Sequence, residues 1–256
     1  ALYPPPEVGG FTATGDKGST MTATSPTPQA SYLMWFRRDL RLKDNTAFSE
    51  LTEIAKQASS KPDIKALFVA TPEQWLEQAM SLVQMDFIFR NLKKLAESLF
   101  NQLNIELHVL QTPDYHQCID AIDSFCQQQN ISHIASNYEY EVNELARDAA
   151  LEEQLNQKGI VFNRYHDQCI LPPKSVTTNE DTMYKVFTPF YKKWQSILDT
   201  GLVNIHPLEP VNNNKLNPDI LTQILATIDN LYQQTLRLFL ESTANQDKNT
   251  KLLLQT

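Results

Sequence analysis

Residues 33–45 read LMWFRRDLRLKDN. The apolar run Leu33 to Phe36 has β-forming character, and it ends in three arginines and two aspartates packed into positions 37–44. A charge run of this density is ordinarily a solvated loop. This one follows a buried-looking strand without a break, so it marks the carboxyl end of that strand as a place where charge is wanted.

The pattern recurs along the chain. Apolar, β-rich runs stand at 32–36, 64–70, 105–110, 132–137 and 160–165. Helical spacing fills the intervals at 45–58, 81–103, 114–129 and 143–157, with Asn45, Ser81 and Asp114 as N-caps and Gly159 where a left-handed C-cap is expected. Strict strand–helix alternation with right-handed crossovers predicts a doubly wound α/β fold, a Rossmann-like five-stranded parallel sheet covered on both faces. Ligands of such folds bind beyond the carboxyl ends of the strands, where strand order reverses. The charged run, the TPEQW segment at 71–75 and YEYEVNELARD at 138–148 should therefore share one rim.

Composition sets limits around this core. A chain of 256 residues, 41% apolar, can bury a substantial interior. No apolar stretch approaches the ~20 residues that span a bilayer. A formal charge of −8 argues against a wholly nucleic-acid-binding surface, leaving room only for a local basic groove. Cys118, Cys126 and Cys169 are widely spaced, show no metal-ligand pattern and suit a reducing cytoplasm. Residues 1–31, rich in Pro, Gly, Ser and Thr, read as a disordered leader, with Met21 a natural starting point. Four of six glycines fall in that leader, so neither a dinucleotide fingerprint nor a P-loop can be built in the folded part. There is no nucleophile elbow, and His108 and His133 lie inside strands, where core packing is the expected role.

Three blocks carry a more specific signal. MWFRRDLRLKDNTAF (34–48), NYEYEVNELARDAALEEQL (137–155) and CILPPKSVTTNEDTMYKVFTPFYKKW (169–194) resemble, in order and spacing, the signatures of DNA photolyases and cryptochromes, above all the bacterial class I cyclobutane pyrimidine dimer photolyases. The resemblance covers about residues 32–200 and implies an α/β domain at 32–165 that holds a light-harvesting antenna, either a reduced folate (methenyltetrahydrofolate) or a deazaflavin. It implies an inter-domain connector at 166–210. It also implies that FAD, DNA binding and repair belong to a separate helical domain, so no catalytic residue is named within this chain.

Residue by residue, the resemblance assigns Asn143 and Glu144 to pterin contact, where a carboxylate accepts paired hydrogen bonds from an aminopterin edge. The residues alone allow a simpler role for Glu144, a first-turn acid favoured by the helix dipole. Gln78 stands where folate-binding relatives carry a histidine, which weakens or alters the antenna site, and Trp75 is read as rim packing. Arg37, Asp39, Arg41 and Asp44 alternate in sign and are expected to pair among themselves, with Arg37 the member that faces an anionic ligand tail. Arg147 and Asp148 are expected to pair on a helix surface.

The aromatics and lysines of MYKVFTPFYKKW at 183–194 have the composition of a single-strand-binding surface, but inter-domain packing is the favoured reading. Residues 211–256 form a helical tail with an apolar stripe from Ile220 to Tyr232, either the first helix of the flavin domain or a divergent end. Two functions from different classes follow. One is the antenna-bearing N-terminal part of a photolyase. The other is a non-catalytic, cryptochrome-like or remnant module that docks a partner through its connector and C-terminal helix.

Overall fold

The computed structural model describes residues 30–201, 205–208, 210–211 and 213–253, with side chains described as far as Ala244. The leader expected at 1–31 lies outside the described residues, except for Ala30 and Ser31.

The strand that opens the charged run is the centre of the molecule. β1 (Ser31–Phe36) is buried along its whole length. It pairs in parallel with β2 (Ile64–Ala70) on one side and β4 (Ile131–Asn137) on the other. β3 (Leu107–Gln111) and β5 (Val161–Tyr165) complete an all-parallel sheet of order β3-β2-β1-β4-β5. Strand order therefore reverses between β1 and β4, the topological point at which α/β sheets bind ligands.

Period-two alternation sends Tyr32, Met34 and Phe36 to one core and Leu33 and Trp35 to the other. The first core is covered by α1 (Thr46–Gln57) and α3 (Leu82–Leu103), and the second by α4 (Tyr115–Gln128) and α5 (Val142–Asn156). Asn45, Ser81 and Asp114 cap their helices through side-chain oxygens as expected, and Gly159 takes φ +71° after α5. β3 starts two residues later than the apolar run because Asn104 turns left-handed at the end of α3, and the Ile105 N–H folds back onto the Leu99 carbonyl.

Two helices lie where none was expected. Thr71-Pro72 opens α2 (Pro72–Glu77), with proline at the start of the helix where its missing N–H costs nothing. α6 (Phe187–Leu198) carries the connector aromatics, and none of its residues is buried. Within the helix these rings stack on one another, Phe187 on Tyr191 at 5.8 Å and Tyr191 on Trp194 at 6.3 Å. The connector is tied to the domain at both ends. Asp167 accepts from the Thr46 backbone N–H at 3.0 Å and pairs with Arg41. His206 exchanges hydrogen bonds with Asp44, at 2.9 and 3.2 Å.

The C-terminal helix α7 (Pro218–Leu253) returns to the sheet domain. Ile224, Ile228, Leu231 and Phe239 are buried in the first core, each worth about 1.5–3 kcal/mol of apolar transfer. Lys93–Asp229 and Tyr232–Asp86 fasten α7 to α3. The apolar stripe from Ile220 to Tyr232 is thus packed against this domain. Among the described residues no helix is long and apolar enough to cross a membrane.

Candidate functional site

A cavity of about 70 Å³ opens beyond the carboxyl ends of β1 and β2. Trp35, Phe68 and Val69 come from the strands, Trp75 from α2, Gln78 and Met80 from the link that follows it, Ile88 from α3, and Tyr115 and Cys118 from α4. Arg37, Arg38, Glu139 and Arg147 supply its charge. Trp35 and Arg37, two residues apart, both turn toward the α4–α5 layer. Glu144, Arg147 and Asp148 share one face of α5 through their i, i+3, i+4 spacing.

That face is buried. Arg147 is 6% and Asp148 0% exposed, so the surface pairing expected for them is replaced by an interior network. Asp148 accepts from Arg37 Nη1 at 2.9 and 2.7 Å, and from Arg147 Nε at 2.9 Å and Nη2 at 2.7 Å. Arg147 Nη2 also donates to Glu139 Oε2 at 2.9 Å, while Arg37 lies 3.5 Å from the same oxygen. Arg38, half-exposed, reaches Glu139 at 3.3 Å, Glu144 Oε1 at 3.2 Å and, closest, Glu141. The Tyr115 hydroxyl donates to Glu144 Oε1 at 2.9 Å. A helix face that would ordinarily be apolar can be charged here because three guanidiniums meet four carboxylates across the strand ends.

The aromatic rings join this network through their faces. The Arg37 guanidinium carbon lies 4.9 Å from the Trp35 ring centroid, and that of Arg147 lies 4.7 Å from the same ring and 4.8 Å from Tyr115. Burial alone would lower the pKa of Arg147, but the charges and hydrogen bonds of Asp148 and Glu139 outweigh it and raise it. Burial, then the Glu144 charge and hydrogen bond, push the Tyr115 hydroxyl up. Burial pushes the Cys118 thiol up to about 12, so it lines the cavity as a neutral, unreactive group.

The expected site residues are distributed as follows. Arg37 and Gln78 line the cavity. Glu144, 1% exposed, connects to it through Tyr115 and Arg38, both its bonds falling on Oε1. Asn143 is exposed on the first turn of α5 and is not among the lining residues. Trp75 is buried against Phe89 and also lines the cavity. Arg37, Asp39, Arg41 and Asp44 do not form the self-contained ion-pair set expected of them: Arg37 pairs with Asp148 and Arg41 with Asp167, while Asp39 accepts from Asn137 and Asn45. Asp39, Asn45 and Asn137 together fix the start of α1, whose first N–H groups are taken by Asp167, Asn137 and Asn45. Trp35, Arg38, Tyr115 and Glu139 were not singled out from sequence, although Trp35 and Arg37 could have been linked by alternation. His108 and His133 stay in the sheet, His108 edge-on to Phe125 at 4.9 Å and His133 tilted against Tyr32 at 4.4 Å.

One detail of the site points to a ligand. The Arg37 side chain makes its hydrogen bonds through Nη1, leaving Nε and Nη2 buried with no partner among the described residues. Buried guanidinium donors are seldom left unmatched, because each carries its full desolvation cost.

The chain is similar to known proteins along most of its described length. The family model described as DNA photolyase matches residues 32–212. The deoxyribodipyrimidine photo-lyase of Escherichia coli is 37% identical over 172 residues, covering 67% of this chain and 35% of the relative. That of Vibrio cholerae is 34% identical over 171 residues, covering 67% and 35%, and that of Salmonella typhimurium 35% identical over 204 residues, covering 80% and 41%. Among solved structures, a cryptochrome of Synechocystis superposes with a TM-score of 0.58 at 23% identity, over 75% of this chain and 40% of its own. An archaeal photolyase from Sulfolobus tokodaii, described with two FAD molecules, superposes at 0.55 and 22% identity, over 76% and 41%. The chain spans between about a third and two fifths of the length of these photo-lyases, and with its family model matched across both the sheet domain and the connector, it belongs to the DNA photolyase family.

Proposed function

We propose that this chain is the N-terminal, chromophore-holding part of a deoxyribodipyrimidine photo-lyase, in which light-driven, FAD-dependent repair of pyrimidine dimers in DNA is carried out by a further domain. The observation that carries the reading is the unmatched Nε–Nη2 edge of Arg37 in an aromatic-lined cavity at the reversal of strand order. That edge suits a ring carbonyl or an anionic group of a flat heterocycle. Trp35 and Trp75 supply apolar faces for such a ring, and Gln78 an adjustable hydrogen-bonding partner at the rim. A deazaflavin carbonyl matches this donor edge of Arg37, and the cavity of about 70 Å³ would have to widen to take the tricyclic ring. A reduced folate would be held instead at the start of α5, where Glu144 and the exposed Asn143 meet a pterin edge. Either group, when bound, absorbs near-ultraviolet or blue light and passes excitation onward. The residues of the chain bind it, orient it and exclude water from it.

Three free cysteines favour a reducing, cytoplasmic setting. A second reading, a non-catalytic module that docks a partner, is favoured only by the uncovered aromatics of α6. Absorbance and fluorescence titrations with methenyltetrahydrofolate and with a 5-deazaflavin test the proposal. Saturable folate binding lost in Glu144→Ala, or deazaflavin binding lost in Arg37→Met, would bear it out. Absence of binding to both would refute it.

A further inference from the structure

We propose that Arg37 and Arg147 form a cationic clamp on Trp35 that prevents this indole from giving an electron to a photo-excited ligand in the adjacent cavity. The inference rests on the chromophore reading above, and it concerns what the site must avoid once light is absorbed.

Trp35 is 2% exposed and lines the cavity, so a ligand there would lie beside an indole. An indole next to an excited flavin-like or pterin-like ring is an electron donor. One electron passes from indole to excited ligand, leaving a tryptophan cation radical and a one-electron-reduced ligand, and the excitation is lost. The charges stacked on Trp35 are both positive, at 4.9 and 4.7 Å from its centroid. Removing an electron would create a third positive charge against them in a poorly solvated interior. Asp148 and Glu139 balance the total charge, but they bond to the guanidinium N–H groups, whereas the guanidinium carbons stand over the ring. Arg147 also stands over Tyr115, an oxidisable ring that α4 adds to the lining, at 4.8 Å. A purely structural role would need the pairing with Asp148, and it would not need both cations on the same indole.

The test uses the full chain with a bound 5-deazaflavin, the ligand placed in the Trp35 cavity, and reads its fluorescence lifetime. Arg147→Met/Glu139→Gln removes one cation while keeping the buried charge balanced, and circular dichroism checks its fold. The bound lifetime should fall roughly tenfold in this variant, stay near wild type in Arg147→Lys, and recover when Trp35→Phe is added. An unchanged lifetime, or a shortened one that Trp35→Phe does not restore, would overturn the clamp. If the titrations show that neither probe binds, the chromophore reading fails by itself. The clamp is then judged in a Trp75→Phe/Trp194→Phe background, which leaves Trp35 as the single tryptophan of three. Azide radicals should oxidise Trp35 roughly tenfold more readily once the Arg147 charge is removed, and equal oxidation would refute the electrostatic argument.

Discussion

Replacing Asp148 by alanine should be among the most damaging single changes in the chain. The carboxylate is wholly buried and accepts four charge-assisted hydrogen bonds, two from Arg37 and two from Arg147. Without it, two buried guanidiniums keep only Glu139 between them, with Arg37 at 3.5 Å and Arg147 at 2.9 Å. Leaving a buried charge without its partner typically costs about 3–5 kcal/mol, a large share of the ~5–15 kcal/mol that holds a domain folded. Urea unfolding followed by circular dichroism should show a loss in that range. Arg37→Met/Asp148→Leu, which removes donor and acceptor together, should lose less than the single variant, since apolar replacement of a buried pair is often close to neutral. A loss below about 1 kcal/mol for Asp148→Ala would mean that the network is solvated and that the interior electrostatics argued for the site are wrong.

Other outcomes follow from single features. Burial holds His108 neutral, against a weaker opposing pull from Glu106, so its folded pKa lies below the usual 6.5. The unfolded chain takes up the proton first, so this contribution to stability is complete above about pH 6.5 and is lost as pH falls through the lower folded value. His108→Phe, which keeps a ring against Phe125, should flatten the fall in melting temperature between pH 7 and pH 5. Ile228→Ala should cost about 2–4 kcal/mol in the same urea assay, because its side chain, on the inward face of α7, is fully buried in the first core. Tyr191→Ala on α6 should stay within about 0.5 kcal/mol of wild type. Burial pushes Cys126, like Cys118, up to about 12, so a thiol reagent at pH 8 should label only the exposed Cys169 until the chain is unfolded, when all three react.

The sheet was legible because a central parallel strand must be apolar on both faces and because helix caps announce themselves in short side chains. The same signals failed where a helix was too short to show a period. α2 was read as a rim segment, although Thr71-Pro72 is a helix start in miniature. The site was harder. Spacing places Glu144, Arg147 and Asp148 on one face of α5, but charge on a helix is ordinarily solvated, and nothing local says that Arg37 lies opposite, 111 residues away in sequence. Tyr115 joins Glu144 only through the packing of α4 on α5. Ion pairs in the rim run misled for a related reason. Alternating signs look self-sufficient in one dimension, whereas the fold offers Asp148, Asn137 and Asp167 as partners with better geometry.

The two feet of the connector lie close together on the domain. Asp167 grips Arg41 and Thr46, and His206 grips Asp44, so the chain leaves and rejoins the core at the same six-residue patch. Topologically the stretch between them is a handle inserted into one folding unit. A leash between two bodies would behave differently. Just past the second foot, Asn213 completes the attachment by mimicking a strand partner at Ile64, accepting from its N–H at 3.1 Å and donating to its carbonyl at 2.6 Å. Protease nicking within the handle should therefore yield two pieces that elute together, with α7 still seated on α3. The handle also becomes the natural place to graft, shorten or exchange sequence, since its loop closure is already provided by the body that holds it.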